Sequence, residues 1–271
     1  MYATDFEYDG LALSDFGMMI SSFNSPGAET VSSGADIRFH TVRPAGSDRF
    51  HFYGANYEEC FCATLQISKS PCAMDRLCLS PEELSALQRW LCRKDGYHRL
   101  HFLSESYTDI YWNAIFSSRQ INVFGYAAGL ELTVYTDAPY AYRKEQTTTW
   151  NLRPGESFSL YDTSDEVGAI YPLTVITSMA VGELCLSNSM EPHLPPLKIK
   201  GLSSGEAVTL DGRNKVISSN KEHLRLPSDF NYHFPRIINK LGQRENVFTL
   251  SQSSPPCTVS FTYSPIVKTG I

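Results

Sequence analysis

The sequence has no run approaching the roughly 20 apolar residues that a membrane helix needs, and no glycine loop of the phosphate-cradling or dinucleotide-binding kind. The first absence argues against a helical membrane span, and the second removes two common nucleotide sites. Cations are also in deficit, with 23 Lys and Arg against 29 Asp and Glu and a net charge of −6. Nucleic acid and anionic lipid are held by clustered Lys and Arg, so neither specific nucleic-acid binding nor membrane insertion is expected. The stretch Met1-Tyr2-Ala3-Thr4-Asp5-Phe6-Glu7 lacks the basic start and apolar core of a signal peptide, which predicts folding in a cytoplasm. Cysteine is sparse and odd in number, seven in 271 residues, without framework spacings; reduced, largely buried thiols are expected.

Long helical periodicity is absent everywhere except in one stretch. Ser80-Pro81-Glu82-Glu83 has the form of a capping box with proline at the first helical position. Leu79 and Leu84 are spaced as a hydrophobic staple, and Leu84, Leu87, Trp90 and Leu91 form one apolar stripe. Arg93 and Lys94 fall where a last turn opposes the helix dipole, and Gly96 supplies a left-handed stop. A helix over 80–95 is predicted, with Glu83, Ser85, Gln88 and Arg89 facing solvent.

The rest reads as β-structure. After two short apolar pieces in residues 1–20 and a Ser/Gly-rich loop over 24–34, strand signals follow at 36–42, 49–53 and 60–67. Phe61, Ala63, Leu65 and Ile67 alternate there with Cys60, Cys62, Thr64 and Gln66, the period of a half-buried strand. Further strands are predicted at 99–103, 110–116 and 130–135. Pro139 interrupts the pattern, so the chain is divided into domains 1–139 and 140–271. Beyond the cut the close spacing of strands suits a sandwich, with a hairpin at Asp211-Gly212 whose loop is about four residues long.

Candidate chemistry is weak throughout. Gly201-Leu202-Ser203-Ser204-Gly205 matches the nucleophile-elbow pattern, but a strand and not a helix follows the serine, so a plain turn is expected. Cys60, Cys62, Cys72, Cys78 and Cys92 lie in strand or helix patterns, not in metal knuckles. His98 and His101 are three apart on a strand and therefore on opposite faces. Asp162, Asp165 and Glu166 read as a solvated turn, and Tyr140, Tyr142 and Trp150 as aromatics packing two domains together, with stacking on sugars as the competing use. No catalytic, metal or cofactor residue is assigned, and no enzymatic activity is expected.

The order of these signals resembles the distal tail proteins of siphophages. The N-terminal half is similar in Phe6-Glu7-Tyr8-Asp9-Gly10, Ser14-Asp15-Phe16-Gly17, the capped helix, Tyr111-Trp112-Asn113-Ala114 and Asp137-Ala138-Pro139-Tyr140-Ala141-Tyr142. The C-terminal half is similar in Ile199-Lys200-Gly201-Leu202, the stretch 205–214, Leu241-Gly242-Gln243-Arg244-Glu245-Asn246-Val247-Phe248 and Val259-Ser260-Phe261-Thr262-Tyr263-Ser264-Pro265. The resemblance implies a mainly β protein with one prominent helix. Its N-terminal domain would be a tail-tube-like β-barrel or sandwich and its C-terminal domain a galectin-like β-sandwich. It also implies a baseplate hub at the virion tail tip, assembled in the host cytoplasm as a ring, usually a homohexamer. Its partners would be the tail tube protein, the tail-tip protein and a receptor-binding protein. The alternative is an adhesion protein that binds host surface glycans.

Overall fold

The structure, a computed structural model, describes residues 3–23, 34–71 and 77–270. The loop expected over 24–34 lies outside the described residues except for Gly34, and Cys72 is outside them as well. The chain divides into two compact units, Met1–Arg143 with Val267–Ile271, and Lys144–Ile266.

The first unit is built on one sheet whose main path runs Leu11–Ala12, Phe6–Tyr8, His98–Phe102, Ile110–Val123, Tyr126–Thr136, Cys62–Lys69 and Met18–Ser21. Its two ends do not pair, so the barrel alternative is corrected to an open sheet. Alternation along the strands buries Phe6 and Tyr8, Leu100 and Phe102, Trp112, Ala114 and Phe116, and Leu130, Leu132 and Val134 on the face that carries the core. Val267, from the far end of the chain, joins the same core.

The helix spans Pro81–Leu91 and packs on this core through Leu87, Trp90 and Leu91. The Trp90 ring stacks 4.4 Å from that of Phe16, and its Nε1 donates to the Tyr8 carbonyl at 3.1 Å. Fully burying each such side chain contributes about 1.5–3 kcal/mol. The capping box forms as predicted: Glu83 N–H donates to Ser80 Oγ at 3.2 Å, and Ser80 N–H to Glu83 Oε2 at 2.7 Å.

Two expectations about the helix are corrected. It stops four residues before Asp95, because Cys92 leaves helical geometry (ψ 61°) and Arg93 is drawn aside to Asp9 at 2.8 Å and Asp95 at 3.8 Å. Gly96 is left-handed but stands outside the helix. Glu83 also does not simply face solvent, since its Oε1 lies 2.8 Å from the nearly buried Lys69 Nζ.

The strands predicted at 110–116 and 130–135 prove to be parts of one long hairpin, Ile110–Val123 with Tyr126–Thr136, joined by Phe124 and Gly125. A second hairpin, Ile37–Val42 with His51–Tyr57, forms a two-stranded sheet of its own.

The second unit is a two-layer sandwich. One sheet runs Gln146–Leu152, Cys257–Tyr263, Leu173–Ser178, Ala207–Asp211 and Val216–Ser219; the other runs Ser157–Tyr161, Glu245–Leu250, Gly182–Asn188 and Leu197–Leu202. Strand alternation sends Cys257, Val259, Phe261 and Tyr263 inward and leaves Thr258, Ser260 and Thr262 half-exposed. These inward residues share one core with Phe158, Leu184, Ile199, Phe248 and Leu250 of the other sheet. Asp211 pairs with Val216 around a four-residue loop, as expected, and its carboxylate accepts from the amides of Arg213 and Asn214, each at 3.0 Å.

Candidate assembly surface

The short-range signals singled out in the sequence do not converge on a catalytic site. Ser203 sits in a turn, its N–H donating to Glu206 Oε2 at 2.8 Å, and the strand Ala207–Asp211 follows. His223, which lies against this turn, has both ring nitrogens engaged, Nδ1 by Glu206 at 2.7 Å and Nε2 by Asp229 at 3.1 Å. Neither nitrogen is left to take a proton from a serine. The cluster is instead a buried ionic knot, with Ser219 Oγ also donating to Glu206 at 2.8 Å. Burial works against a charged His223, but its bonds to Glu206 and Asp229 prevail and raise its pKa above the ordinary histidine value. For Glu206 burial opposes charge too, and donors from Ser203, His223 and Ser219 hold its pKa below the ordinary carboxylate range.

His98 and His101 are held apart: His98 faces Asp95 at 3.0 Å and Asp9 at 3.5 Å, and His101 Nε2 pairs with the Tyr107 carbonyl at 2.9 Å. The solvated-turn reading fails for Asp162, which is fully buried; Asp165 is exposed and Glu166 half-buried. Asp162 accepts from the N–H and Oγ of Ser164 and from Asn239 Nδ2 at 3.0 Å, so paired donors replace water. The Trp150 ring stacks 4.0 Å from Phe158 inside the second unit, while Tyr140 and Tyr142 pack on one another in the first.

The cysteines depart from expectation as well. Cys60, Cys62 and Cys78 are exposed, Cys92 and Cys185 half-buried, and only Cys257 is buried; all six are unpaired thiols. Cys62 is exposed because the alternation that turns Ile67 inward places it on the other face. Burial pushes the Cys257 thiol up to about 11.

The feature that remains is the hairpin Ile37–Val42 with His51–Tyr57. Phe39, Phe50, Phe52 and Tyr53 each expose about two-thirds of their surface (65, 66, 64 and 71%). The rings of Phe39 and Phe52 lie 6.5 Å apart on one face. Among the described residues its two strands pair only with each other. A two-stranded ribbon is marginal in water, and one with aromatic residues on both sides needs a cover. The charges of the arm are balanced: Arg38 pairs with Glu58 at 3.4 Å and Arg43 with Asp48 at 3.0 Å, so the aromatics are its distinguishing feature. Sequence reasoning found strands here but not the arm. The available signal was Phe50-His51-Phe52-Tyr53, three aromatics in four residues with His51 as the one polar alternate.

The sequence matches two family profiles, described as the phage tail protein N-terminal domain over residues 1–138 and the phage tail C-terminal domain over residues 140–263. No curated protein matches it. Among solved structures it is similar to the crystal structure of Dit (gp 19.1) of SPP1, described as a paradigm of the hub adsorption apparatus in phages infecting Gram-positive hosts. The identity is 13%, the match covers 96% of this chain and 98% of that one, and the TM-score is 0.67. It also aligns with a chain of the phage P2 baseplate in its activated conformation with Ca, at 9% identity and a TM-score of 0.47, covering 97% of this chain and 98% of that one. The open sheet with one long helix among the described residues, followed by a two-sheet sandwich, thus matches the fold of the Dit hub, and the chain belongs to the phage tail protein family.

Proposed function

We propose that this protein is the distal tail hub of a long non-contractile phage tail, a structural component without catalytic activity. Copies close into a ring, a homohexamer, that joins the tail tube to the tail-tip and receptor-binding proteins. The ring is assembled in the host cytoplasm and carried at the virion tail tip. The observation that carries this reading is the arm at 37–57, a separate two-stranded hairpin with exposed aromatics on both faces. An apolar face of an identical neighbour would cover these aromatics, and head-to-tail contacts of this kind form closed rings when the rotation per subunit divides the circle.

The test is the oligomeric state of the purified full chain by size-exclusion chromatography with light scattering, followed by negative-stain imaging. The expected result is a ring with an open centre for the wild type. The double variant Phe39→Asp, Phe52→Asp is expected to stay monomeric with an unchanged cooperative melt, because both side chains are already solvent-exposed. A wild-type chain that stays monomeric at high concentration, even with its tail-tip partner present, would overturn the reading.

A further inference from the structure

The five-stranded sheet of the second unit ends on Gln146–Leu152, a strand of seven residues paired along its whole length with Cys257–Tyr263 on one side. Long edge strands invite association, and proteins blunt them with charge, proline or brevity. The other edges of the sandwich follow that rule. Val216–Ser219 has four residues, and Leu197–Leu202 carries Lys198 and Lys200. Ser157–Tyr161 is flanked by Glu156 and Asp162, acids that antiparallel pairing with its own copy about Ser159 would set opposite one another. Gln146–Leu152 contains no charge and no proline, and Thr147, Thr148, Thr149 and Asn151 are exposed. The hydroxyls of Thr147 and Thr149 are bonded to Thr262 and Ser260, each at 2.8 Å, which fixes their rotamers and lowers the ordering cost of docking.

The flanks of the strand determine what fits it. Laid antiparallel against its own copy with Thr149 opposite Thr149, the strand sets Glu145 of each copy opposite Arg153 of the other, so opposite charges close both ends. Both residues are exposed, and among the described residues neither is in an ion pair. Arg153 precedes Pro154, which favours the extended backbone that such a pair needs. Trp150, stacked on Phe158, is only half-buried, and the same register brings the Thr148 of the other copy against it, a favourable pair of β-branched and aromatic side chains. Only alternate residues direct N–H and C=O toward a given edge, so the register can slip only in steps of two. A step one way sets Arg143 opposite Arg153; a step the other way sets Gln146 opposite Pro154, which has no N–H.

We infer that Gln146–Leu152 pairs antiparallel with the same strand of a second copy, about a two-fold axis at Thr149, and so joins two hub rings into a closed double ring. The inference rests on the hub reading for the rings it joins. A two-fold pair uses both edges and leaves none for a third copy. One ladder of this length is weak, so a chain outside a ring stays monomeric at chromatographic concentrations; repeated at every copy around a ring, the pairs act together.

Its test uses the full chain as wild type, Glu145→Arg and Arg153→Glu. Rings are imaged by negative stain and masses read by light scattering, because single and double rings look alike down the axis. All three proteins are expected to form rings with unchanged melts, since the altered side chains are exposed. Wild type is expected at the mass of two rings and each variant at half that mass, because like charges then meet at both ends of the ladder. Mixing the two variants is expected to restore the doubled mass, since each supplies the charge the other needs. A wild type with the mass of one ring overturns the inference, and so does a doubled mass that either variant keeps or that mixing fails to restore. If the wild type forms no ring, the hub reading fails, and sedimentation at high concentration decides the pairing by itself. A dimer for the wild type and the mixture but for neither variant alone supports it, and monomers throughout overturn it.

Discussion

Lys69 Nζ lies 2.8 Å from Glu83 Oε1, and through that one carboxylate the helix cap is tied to a strand near the sheet edge. The other oxygen of Glu83 receives the N–H of Ser80 at 2.7 Å. The bond from Lys69, with that from Ser80, holds the Glu83 pKa below the ordinary carboxylate range. The Lys69 side chain is only 6% exposed, so its charge has little water to turn to if Glu83 is neutralised.

Ser80→Ala removes one half of this arrangement. It is expected to lower stability by about 1 kcal/mol through the lost cap, measured as a shift in chemical-denaturation midpoint with an unchanged slope. Glu83→Gln keeps an acceptor for the Ser80 amide but leaves Lys69 without its counter-charge. A larger loss, on the order of 1–3 kcal/mol after allowing for the partial exposure of Glu83, is expected. If the two substitutions cost the same, Lys69 contributes nothing.

The knot of His223, Glu206 and Asp229 should give stability a defined pH window. The folded pKa of His223 is raised, so its contribution is complete below about pH 6.5 and is lost as pH rises through the folded value. The folded pKa of Glu206 is lowered, so its contribution is present above about pH 4.5 and is lost as pH falls through the folded value. His223→Gln should therefore melt well below wild type at pH 6, with the gap narrowing by pH 9. A gap independent of pH would show that the imidazolium charge plays no part.

Asp162 is fully buried, and three donors converge on it. Asp162→Ala should cost about 1–3 kcal/mol by leaving Ser164 and Asn239 unsatisfied in the interior. Thermal melts of the full chain will test this, and a loss below a few tenths of a kcal/mol would mean that the site relaxes around the missing group.

Thiol accessibility offers a direct check on burial. All seven cysteines are expected to alkylate in denaturant without reductant. In the native protein Cys60, Cys62 and Cys78 should react first and Cys257 last, since burial both hides it and raises its pKa to about 11. Mass spectrometry of timed samples reads the order, and early modification of Cys257 would contradict the packing of the second core.

Structure carried by neighbours in sequence was legible before any coordinates. The box at Ser80 and Glu83, the apolar stripe at Leu87, Trp90 and Leu91, and the four-residue loop after Asp211 each depend on contacts a few residues apart. Side-chain chemistry alone specifies such contacts. The same locality explains the failures. Cys92 ends the helix early because Arg93 is drawn to Asp9, 84 residues away, and Asp162 is buried because Asn239, 77 residues on, supplies its donor. The turn at Phe124 went unread because phenylalanine is no turn former; only the pairing of Val123 with Tyr126 puts it at a hairpin tip. Tertiary structure alone decided that the strands near residues 40 and 52 stand exposed as an arm. Exposure depends on what the rest of the chain fails to cover, and no local pattern of residues encodes that.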